Sequence, residues 1–125
     1  MECYFGSFLQ NNNANSGRER LVCFSIPDAG IAFKAPFNGG ALHTDYASLL
    51  TLLEFVELNG NIFEGKELKI FGDNLDLVNQ VNEKSPIKYE FSELLQKTLD
   101  YKKKYQFDLG WVPRNNNPSV GDLFH

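Results

Sequence analysis

The first 37 residues alternate between apolar runs and polar turns, a pattern that predicts three β-strands joined by short loops. The predicted strands cover residues 2–9, 21–26 and 31–37. The asparagine-rich stretch 10–17 is typical of a surface turn or a flexible loop, and residues 27–30, Pro-Asp-Ala-Gly, predict a second turn. Because short loops join neighbouring antiparallel strands, the three strands are expected to form a meander.

Helical spacing of apolar residues begins after the glycines at 39 and 40. Thr44 has the side chain of a helix N-cap, and the helix that it would start extends to about Leu58, before Asn59-Gly60-Asn61 ends it. The apolar residues predicted to form the buried face of this helix are Tyr46, Leu49, Leu50, Leu53 and Val56.

The second half of the chain predicts two further strands and three helices. A strand at 68–71 leads into a short amphipathic helix that carries Leu75, Val78 and Val81. Ser85-Pro86 predicts the start of a long helix that reaches about Tyr105, because proline is favoured in the first helical turn. Residues 107–111 predict a fifth strand and 119–124 a very short last helix, so the fold class is α/β. The predicted buried face of the long helix comprises Ile87, Phe91, Leu94, Leu95 and Thr98.

Length and composition predict a single domain over residues 1–125. The chain is 42% hydrophobic, which argues against extensive disorder, and its size suffices for one core. Its two cysteines, Cys3 and Cys23, lie in apolar β-type runs and are expected to be buried free thiols, as in a reducing compartment. No apolar run approaches the length of a membrane span, and no signal peptide opens the sequence. We therefore expect a cytoplasmic protein with no membrane partner.

The charge balance weakens the case for nucleic-acid binding without excluding it. The net charge is −4 and the sequence pI is about 5.1, whereas affinity for phosphates comes largely from Lys and Arg. The one dense basic run is 102–104, three lysines near the end of the predicted long helix. Cations there favour the helix dipole, and the same lysines would also suit a phosphate-facing patch.

The most informative segment is Gly72 to Val81, where a strand ends and a helix starts with Asp73 between them. In an open α/β sheet that edge commonly holds ligands or metals. The same position is also favourable for a plain helix N-cap.

Three segments in order resemble the ribonuclease H family, particularly its compact forms that lack a basic handle between the central helices. The first is the helix start Thr44-Asp45-Tyr46-Ala47-Ser48-Leu49, and the second is the strand end Gly72-Asp73 with Val78 and Gln80 following on a helix. The third is Val112-Pro113-Arg114-Asn115-Asn116-Asn117, directly after a strand. The resemblance covers nearly the whole chain. It implies a five-stranded mixed sheet, with three antiparallel strands, two parallel additions and helices on both faces, and a final helix that is short or truncated.

The resemblance also implies a reaction, two-metal hydrolysis of a phosphodiester by Mg²⁺ or Mn²⁺ held by four carboxylates. Asp73 matches the family's fourth-strand Asp, and Asp45 falls where the family has a Glu at the start of the first long helix. A first-turn acid that favours the helix dipole is the alternative role for Asp45. These two residues are the metal ligands that the resemblance carries over.

The other two acidic positions differ from the family pattern. Gly6 stands where the first strand should carry the Asp shared by both ions, and Gly121 is in register with the Asp of the final helix. Asp122 lies one residue later, roughly 100° around a helix, so it would serve as a catalytic residue only with a local irregularity.

Four further residues match family positions close to bound nucleic acid. Asn79 and Gln80 resemble residues near the minor groove of a bound RNA–DNA hybrid, where side-chain amides meet 2′-hydroxyls and base edges. Arg114 and Asn117 resemble the loop before the final helix, within reach of the active site.

Three functions follow as hypotheses. The leading one is a ribonuclease H-like nucleic-acid-binding domain with a degraded two-metal site, catalytically weak or inactive, in which Mg²⁺ or Mn²⁺ binds weakly if at all. The alternative is an active Mg²⁺- or Mn²⁺-dependent ribonuclease H that uses Asp45, Asp73 and Asp122 to hydrolyse the RNA strand of RNA–DNA hybrids. A third is a structural domain that docks a protein partner, which eleven Phe and five Tyr would permit.

Overall fold

A mixed five-stranded sheet is the centre of the computed structural model, which describes residues 1–12 and 17–121. Strands β1 and β2 form a long hairpin and β3 continues the meander, whereas β4 and β5 add in parallel on the other side of β1. The order across the sheet is β3-β2-β1-β4-β5, so β1 is central. The predicted α/β class and mixed topology are confirmed. The strands are β1 (Glu2–Asn12), β2 (Gly17–Ile26), β3 (Ile31–Phe37), β4 (Lys69–Gly72) and β5 (Asp108–Trp111).

The first hairpin is longer than the sequence pattern predicts. β1 continues to Asn12 and β2 already begins at Gly17, so the polar stretch expected to be a turn pairs as strand at both of its ends. The hydrogen bonds between β1 and β2 continue from the apolar part of the hairpin into this polar stretch. This pairing outweighs the low strand propensity of asparagine. The third strand has the predicted bounds.

The described residues form four α-helices, two before β4 and two between β4 and β5: α1 (Ala41–Leu58), α2 (Gly60–Phe63), α3 (Leu75–Val81) and α4 (Ser92–Tyr105). Helices α1, α3 and α4 contact one another, and α1 packs on β1 and β2 while α3 packs on β5. Their buried residues share one core with alternate residues of the strands, including Cys3, Phe5 and Ile70. The three helices therefore cover one face of the sheet.

Helix α1 begins three residues before the predicted cap, so Thr44 is not its N-cap. Gly40, in extended conformation, precedes the helix, and the backbone N–H of Thr44 donates to the Gly40 carbonyl at 2.9 Å. The Thr44 hydroxyl donates to the same carbonyl at 2.7 Å, and the residue is completely buried. Glycine is also an acceptable N-cap residue. Because threonine has a side-chain oxygen that can accept a backbone hydrogen bond and glycine has none, the sequence pattern indicated Thr44 instead.

Helix α4 begins later than Ser85-Pro86 suggested, and the chain before it is not helical. Lys88 is still extended, with ψ of 143°. A 3₁₀ turn at Tyr89–Phe91 then leads into Ser92. Ile87 and Phe91 nevertheless pack in or against the core from this irregular segment. Their side chains are therefore at least partly buried although residues 85–88 do not form a helix.

The opposite face of the sheet carries a small second cluster formed by Leu21, Cys23, Val120 and Phe8. Val120 belongs to the segment after β5, which forms a 3₁₀ turn at Arg114–Asn116 and then a bend. Residues 119–121 are not helical, so the last helix does not begin at Ser119; the remainder of its predicted range lies outside the described residues.

The composition also led to expectations about the two cysteines and about membrane-spanning segments. Cys3 and Cys23 are both free and completely buried, as predicted. In the part of the chain that the structure describes, no helix combines the length and the apolar character needed to cross a membrane.

Candidate functional site

The middle of β1, the carboxyl end of β4, the start of α1 and the segment after β5 converge on one open cleft of about 500 Å³. Asp45 and Asp73 both line it, so the two carboxylates that the sequence singled out meet at one site. Its other charged residues are Arg20, Asp76 and Arg114.

Asp73 is held by two donors from the segment after β5. Its side chain is only 8% exposed, and Oδ2 accepts hydrogen bonds from Asn117 Nδ2 at 3.1 Å and Arg114 Nη1 at 3.4 Å. The Trp111 indole N–H donates to the Asp73 backbone carbonyl at 3.1 Å. The carboxylate is therefore fixed against β5 and the following loop, and it carries a positive partner from within the chain.

The N-cap of α3 is Asn74 and not its neighbour Asp73, so the role of helix cap that was considered for Asp73 is excluded. Asn74 Oδ1 accepts from the backbone N–H of Leu77 at 3.3 Å, so Asn74 caps α3. Its Nδ2 donates to Asp45 Oδ2 at 2.7 Å and so connects the cap to the second carboxylate. Asp73 is consequently free of capping and faces the cleft.

Asp45 is a buried carboxylate with one unused oxygen. Only 5% of the residue is exposed, and Oδ1 has no hydrogen-bond partner among the described residues. Because burial disfavours the charged form, the pKa of Asp45 is raised above its ordinary value, and the Asn74 hydrogen bond offsets part of this shift. The alternative role as a first-turn acid is wrong, because α1 starts at Ala41 and its first turn holds no acidic residue.

Arg114 and Asn117 both connect β1 to Asp73. Arg114 Nη2 donates to the Ser7 carbonyl at 2.9 Å, while Nη1 reaches Asp73. Asn117 Nδ2 donates to the Phe5 carbonyl at 2.9 Å as well as to Asp73. The two side chains thus span from the backbone on either side of Gly6 to one carboxylate oxygen.

Gly6 lies beside Asp73, at the position where the family resemblance implies a carboxylate on the first strand. A Cβ atom added to Gly6 would be 3.6 Å from Asp73 Oδ2, but only 2.9 Å from Val120 Cγ1 and 3.2 Å from Asn117 Nδ2. Side chains from the end of the chain therefore fill the volume that a β1 carboxylate would need.

The last acidic position is only partly described. Gly121 is half-buried, and a Cβ there would meet nothing closer than the Asn117 carbonyl at 3.7 Å. Asp122, the possible substitute, lies outside the described residues, so its catalytic role stays a prediction.

The two amides predicted to face nucleic acid lie on α3, outside the cleft lining. Gln80 Oε1 accepts a hydrogen bond from the Tyr46 hydroxyl at 2.7 Å, and the Tyr46 side chain is completely buried. Asn79 is half-buried, and its backbone carbonyl accepts from Lys84 N–H. Gln80 therefore has a structural role, and the nucleic-acid role of both residues stays a prediction.

The basic run 102–104 occupies the last turn of α4, where it favours the helix dipole. Lys102 Nζ donates to Asn82 Oδ1 at 2.9 Å, and Lys104 pairs with Glu57 of α1 at 2.8 Å. Two of the three lysines thus bind other elements of the fold, which favours the structural interpretation of this run.

The described residues at the cleft do not by themselves complete a two-metal centre. Such a centre needs several carboxylates around a shared pair of ions. The described residues contain no group of three or more His, Cys, Asp or Glu side chains placed to hold a metal. Asp73 Oδ2 already accepts from two donors, and among the described residues that line the cleft only Asp45 Oδ1 is a buried side-chain oxygen without a hydrogen-bond partner.

Sequence reasoning missed three residues that shape this site. Asn74 gave a signal, since it follows Asp73 at a helix start, but its bond to Asp45 spans 29 residues. Ser7 contributes its backbone carbonyl, which no side-chain pattern reveals. Val120 reads as an ordinary apolar residue, and only the fold places it against Gly6.

The strand order β3-β2-β1-β4-β5, in a mixed sheet packed against helices, is that of the ribonuclease H-like fold. No family model matches the chain, and no curated protein matches it by sequence. Solved structures match it over nearly its whole length, and at their low identities this likeness establishes the fold.

Three of these structures are ribonucleases H. LC11-RNase H1, isolated from compost by a metagenomic approach and solved in complex with an RNA/DNA hybrid, gives a TM-score of 0.74 at 15% identity, covering 95% of this chain and 89% of that chain. The N-terminal RNase H domain of Rv2228c from Mycobacterium tuberculosis, solved as a fusion with maltose-binding protein, gives 0.67 at 12% identity, covering 96% and 93%. RNase H1 from Halobacterium salinarum gives 0.62 at 14% identity, covering 95% and 89%.

Proposed function

We propose that this chain is a nucleic-acid-binding domain with the ribonuclease H-like fold, whose two-metal site has been lost. The observation that carries the proposal is the environment of Gly6. The position beside Asp73 has no carboxylate, and Val120 and Asn117 occupy the space where one would stand. Without that ligand, the described part of β1 supplies no carboxylate beside Asp73.

Support for nucleic acid as the partner comes from the fold and from the cleft. LC11-RNase H1 shares the fold and was solved with an RNA/DNA hybrid. In this chain the cleft presents Arg20 and the half-exposed guanidinium of Arg114 at its surface, and guanidinium groups suit phosphate oxygens. The substrate class of this chain is therefore proposed to be an RNA–DNA hybrid or a related duplex.

An active Mg²⁺- or Mn²⁺-dependent ribonuclease H is the second candidate, and one observation favours it. Asp45 Oδ1 is buried without a partner in the cleft that Asp73 also lines, which is an arrangement that a cation would satisfy. We rank it second because a single free oxygen does not make a two-metal centre.

Binding and cleavage of a labelled RNA–DNA hybrid separate the two candidates. We expect salt-dependent binding in EDTA, seen as a change in fluorescence anisotropy, and no cleavage in Mg²⁺ or Mn²⁺. Robust cleavage that disappears in Asp73→Asn would establish the nuclease instead, whereas cleavage that survives Asp73→Asn would indicate a contaminant. Absence of any binding would refute both candidates.

A rebuilt ligand tests the role assigned to Gly6. Gly6→Asp alone should destabilise the fold by about 1–3 kcal/mol, because its Cβ would overlap Val120, so Val120→Ala is added to make room. In the double variant a carboxylate on β1 joins Asp45 and Asp73 in the cleft, and Mn²⁺ should raise its melting temperature.

The matched controls are the wild type and Val120→Ala, which should show no response to Mn²⁺ in the same melts. A double variant that folds and still ignores Mn²⁺ after Arg114→Gln is added to remove the charged partner of Asp73 would mean that the first-strand ligand position has been assigned to the wrong residue.

A further inference from the structure

The cleft is bordered by exposed apolar side chains as well as by charged ones. Leu9, near the end of β1, and Leu75, at the start of α3, line the cleft and are exposed. Trp111, the last residue of β5, is exposed beside Asp73. Single exposed apolar residues are ordinary on a protein surface, whereas several around one concave site are typical of a surface that contacts a ligand.

Trp111 differs from the two leucines because its ring is held in place. The indole N–H donates to the Asp73 backbone carbonyl at 3.1 Å, and the backbone of Trp111 lies beside Gly72 in the parallel pair of β4 and β5. The one polar group of the side chain is therefore used within the protein, while 47% of the residue stays exposed. An aromatic ring that is already positioned can bind a second flat ring at little further cost in side-chain ordering.

The charges of the cleft favour a ligand that is bound by more than its phosphates. Two guanidinium groups line the cleft, but so do three carboxylates, those of Asp45, Asp73 and Asp76, and the net charge of the chain is −4. These carboxylates offset part of the attraction that the guanidinium groups exert on phosphates. Stacking of a base on an aromatic ring contributes about 1–3 kcal/mol per base and does not depend on this balance of charge.

We propose that Trp111 is a stacking platform for an unpaired base of the bound nucleic acid. The inference rests on the proposed function and narrows its ligand to a hybrid with a single-stranded extension that reaches the end of β5. A base inside a duplex is stacked on both faces by its neighbours, so it has no free face for Trp111. A base in a single-stranded extension does.

The fluorescence of Trp111 tests this assignment in the unmodified protein, because Trp111 is the only tryptophan of the chain. RNA–DNA hybrids extended in turn at each strand end by a few unpaired nucleotides are titrated into the protein in EDTA. Stacking of a base on the indole quenches its emission, so at least one extended hybrid should lower the fluorescence as the complex forms. The matched ligand has abasic sugars in the extension. It keeps every phosphate and the terminal base pair, and it should bind with much less quenching.

Two substitutions of Trp111 measure the contribution to affinity by fluorescence anisotropy of the labelled hybrids. Trp111→Ala should weaken binding of the base-bearing hybrid by about five- to a hundredfold. The factor should be similar at low and high salt, since stacking releases no counterions. Trp111→Phe keeps an aromatic ring and should retain most of the affinity. Both variants should bind the abasic hybrid as the wild type does, which loss of a purely structural contact would not explain.

Leu58→Ala is the control for removal of an exposed apolar side chain. Leu58 is exposed at the far end of α1, about 20 Å along the helix from Asp45. The variant should change neither the affinity nor the quenching.

Equal quenching by the base-bearing and abasic hybrids, including no quenching by either, would overturn the inference, whether or not Trp111→Ala folds. This failure is distinguishable from failure of the proposed function, because the latter is decided by anisotropy and cleavage with the hybrid alone. A domain that binds hybrids without base-dependent quenching would keep its proposed function and lose this role for Trp111. Absence of binding to every hybrid would refute the proposed function and this inference together.

Discussion

At the scale of single residues, the site is defined by two carboxylates, one with a buried oxygen that has no partner and one with an oxygen that accepts from two donors. Asp45 is buried, with Oδ2 bound to Asn74 and Oδ1 without a partner, whereas Asp73 Oδ2 accepts from both Arg114 and Asn117. A buried charge without full compensation reduces stability, and such residues are typical of functional sites. Stability alone therefore does not explain why an aspartate occupies position 45.

Asp45→Asn should therefore stabilise the protein at neutral pH, by about 1 kcal/mol, since it replaces a buried charge by a neutral group of the same shape. The pKa of Asp45 is raised in the folded state, so the folded protein holds that proton more tightly than the unfolded chain does. The resulting stabilisation of the wild type is present below the ordinary carboxyl pKa and is lost as pH rises through the folded pKa. The advantage of Asp45→Asn should accordingly appear above the folded pKa and vanish in acid.

Urea unfolding across the acid and neutral range would measure this difference. Asp76→Asn is the matched control, because Asp76 lines the same cleft but is exposed, and it should change stability by less than about 0.5 kcal/mol. A loss of stability in Asp45→Asn at neutral pH that disappears in EDTA would show instead that a cation satisfies the ionised carboxylate.

At the scale of elements, the junction between β4 and α3 organises the cleft. β4 ends at Gly72, directly before Asp73, and Asn74 caps α3 while also binding Asp45 of α1. Close packing accompanies this turn, since a Cβ on Gly72 would lie 2.5 Å from the Phe5 ring. One asparagine therefore sets the start of α3 and fixes α1 against it.

Substitutions of Asn74 should separate its two roles. Asn74→Ala removes both the cap and the bond to Asp45 and should cost about 1–3 kcal/mol. Asn74→Asp keeps the cap acceptor, but it places a carboxylate where the amide donated to Asp45 Oδ2, so it should also be destabilising at neutral pH. Chemical denaturation would measure both variants. An Asn74→Asp variant as stable as the wild type would show that only the cap matters.

At the scale of the whole molecule, the central pair of strands carries both the site and the core. β1 lies between β2 and β4, and Cys3 and Cys23 are completely buried on these strands, on opposite faces of the sheet. Burial raises the pKa of Cys3 to about 12 and that of Cys23 to about 11, so neither thiol forms a thiolate at neutral pH. Chemical modification of either thiol would therefore show that the sheet has opened.

Alkylation by iodoacetamide should leave the native protein unmodified and should modify both cysteines at one rate when denaturant unfolds it. The reason is that exposure of either strand requires the sheet to open as a unit. Mass spectrometry of the intact protein and of its peptides would follow both sites. Modification of Cys23 well before Cys3 would show that the meander opens independently of β4 and β5.

The sequence by itself determined the class of fold and the position of Asp73, because the alternation of the meander and the helical spacing of α1 are local patterns with few structural solutions. It misplaced the starts of α1 and α4, since a glycine cap and an irregular approach to the core leave no distinct local signal. The tertiary structure alone decided that Val120 fills the space beside Gly6 and that Arg114 and Asn117 join β1 to Asp73. The bonds of Arg114 and Asn117 to β1 span more than a hundred residues and end on backbone carbonyls, so no spacing of residue types along the chain could specify them.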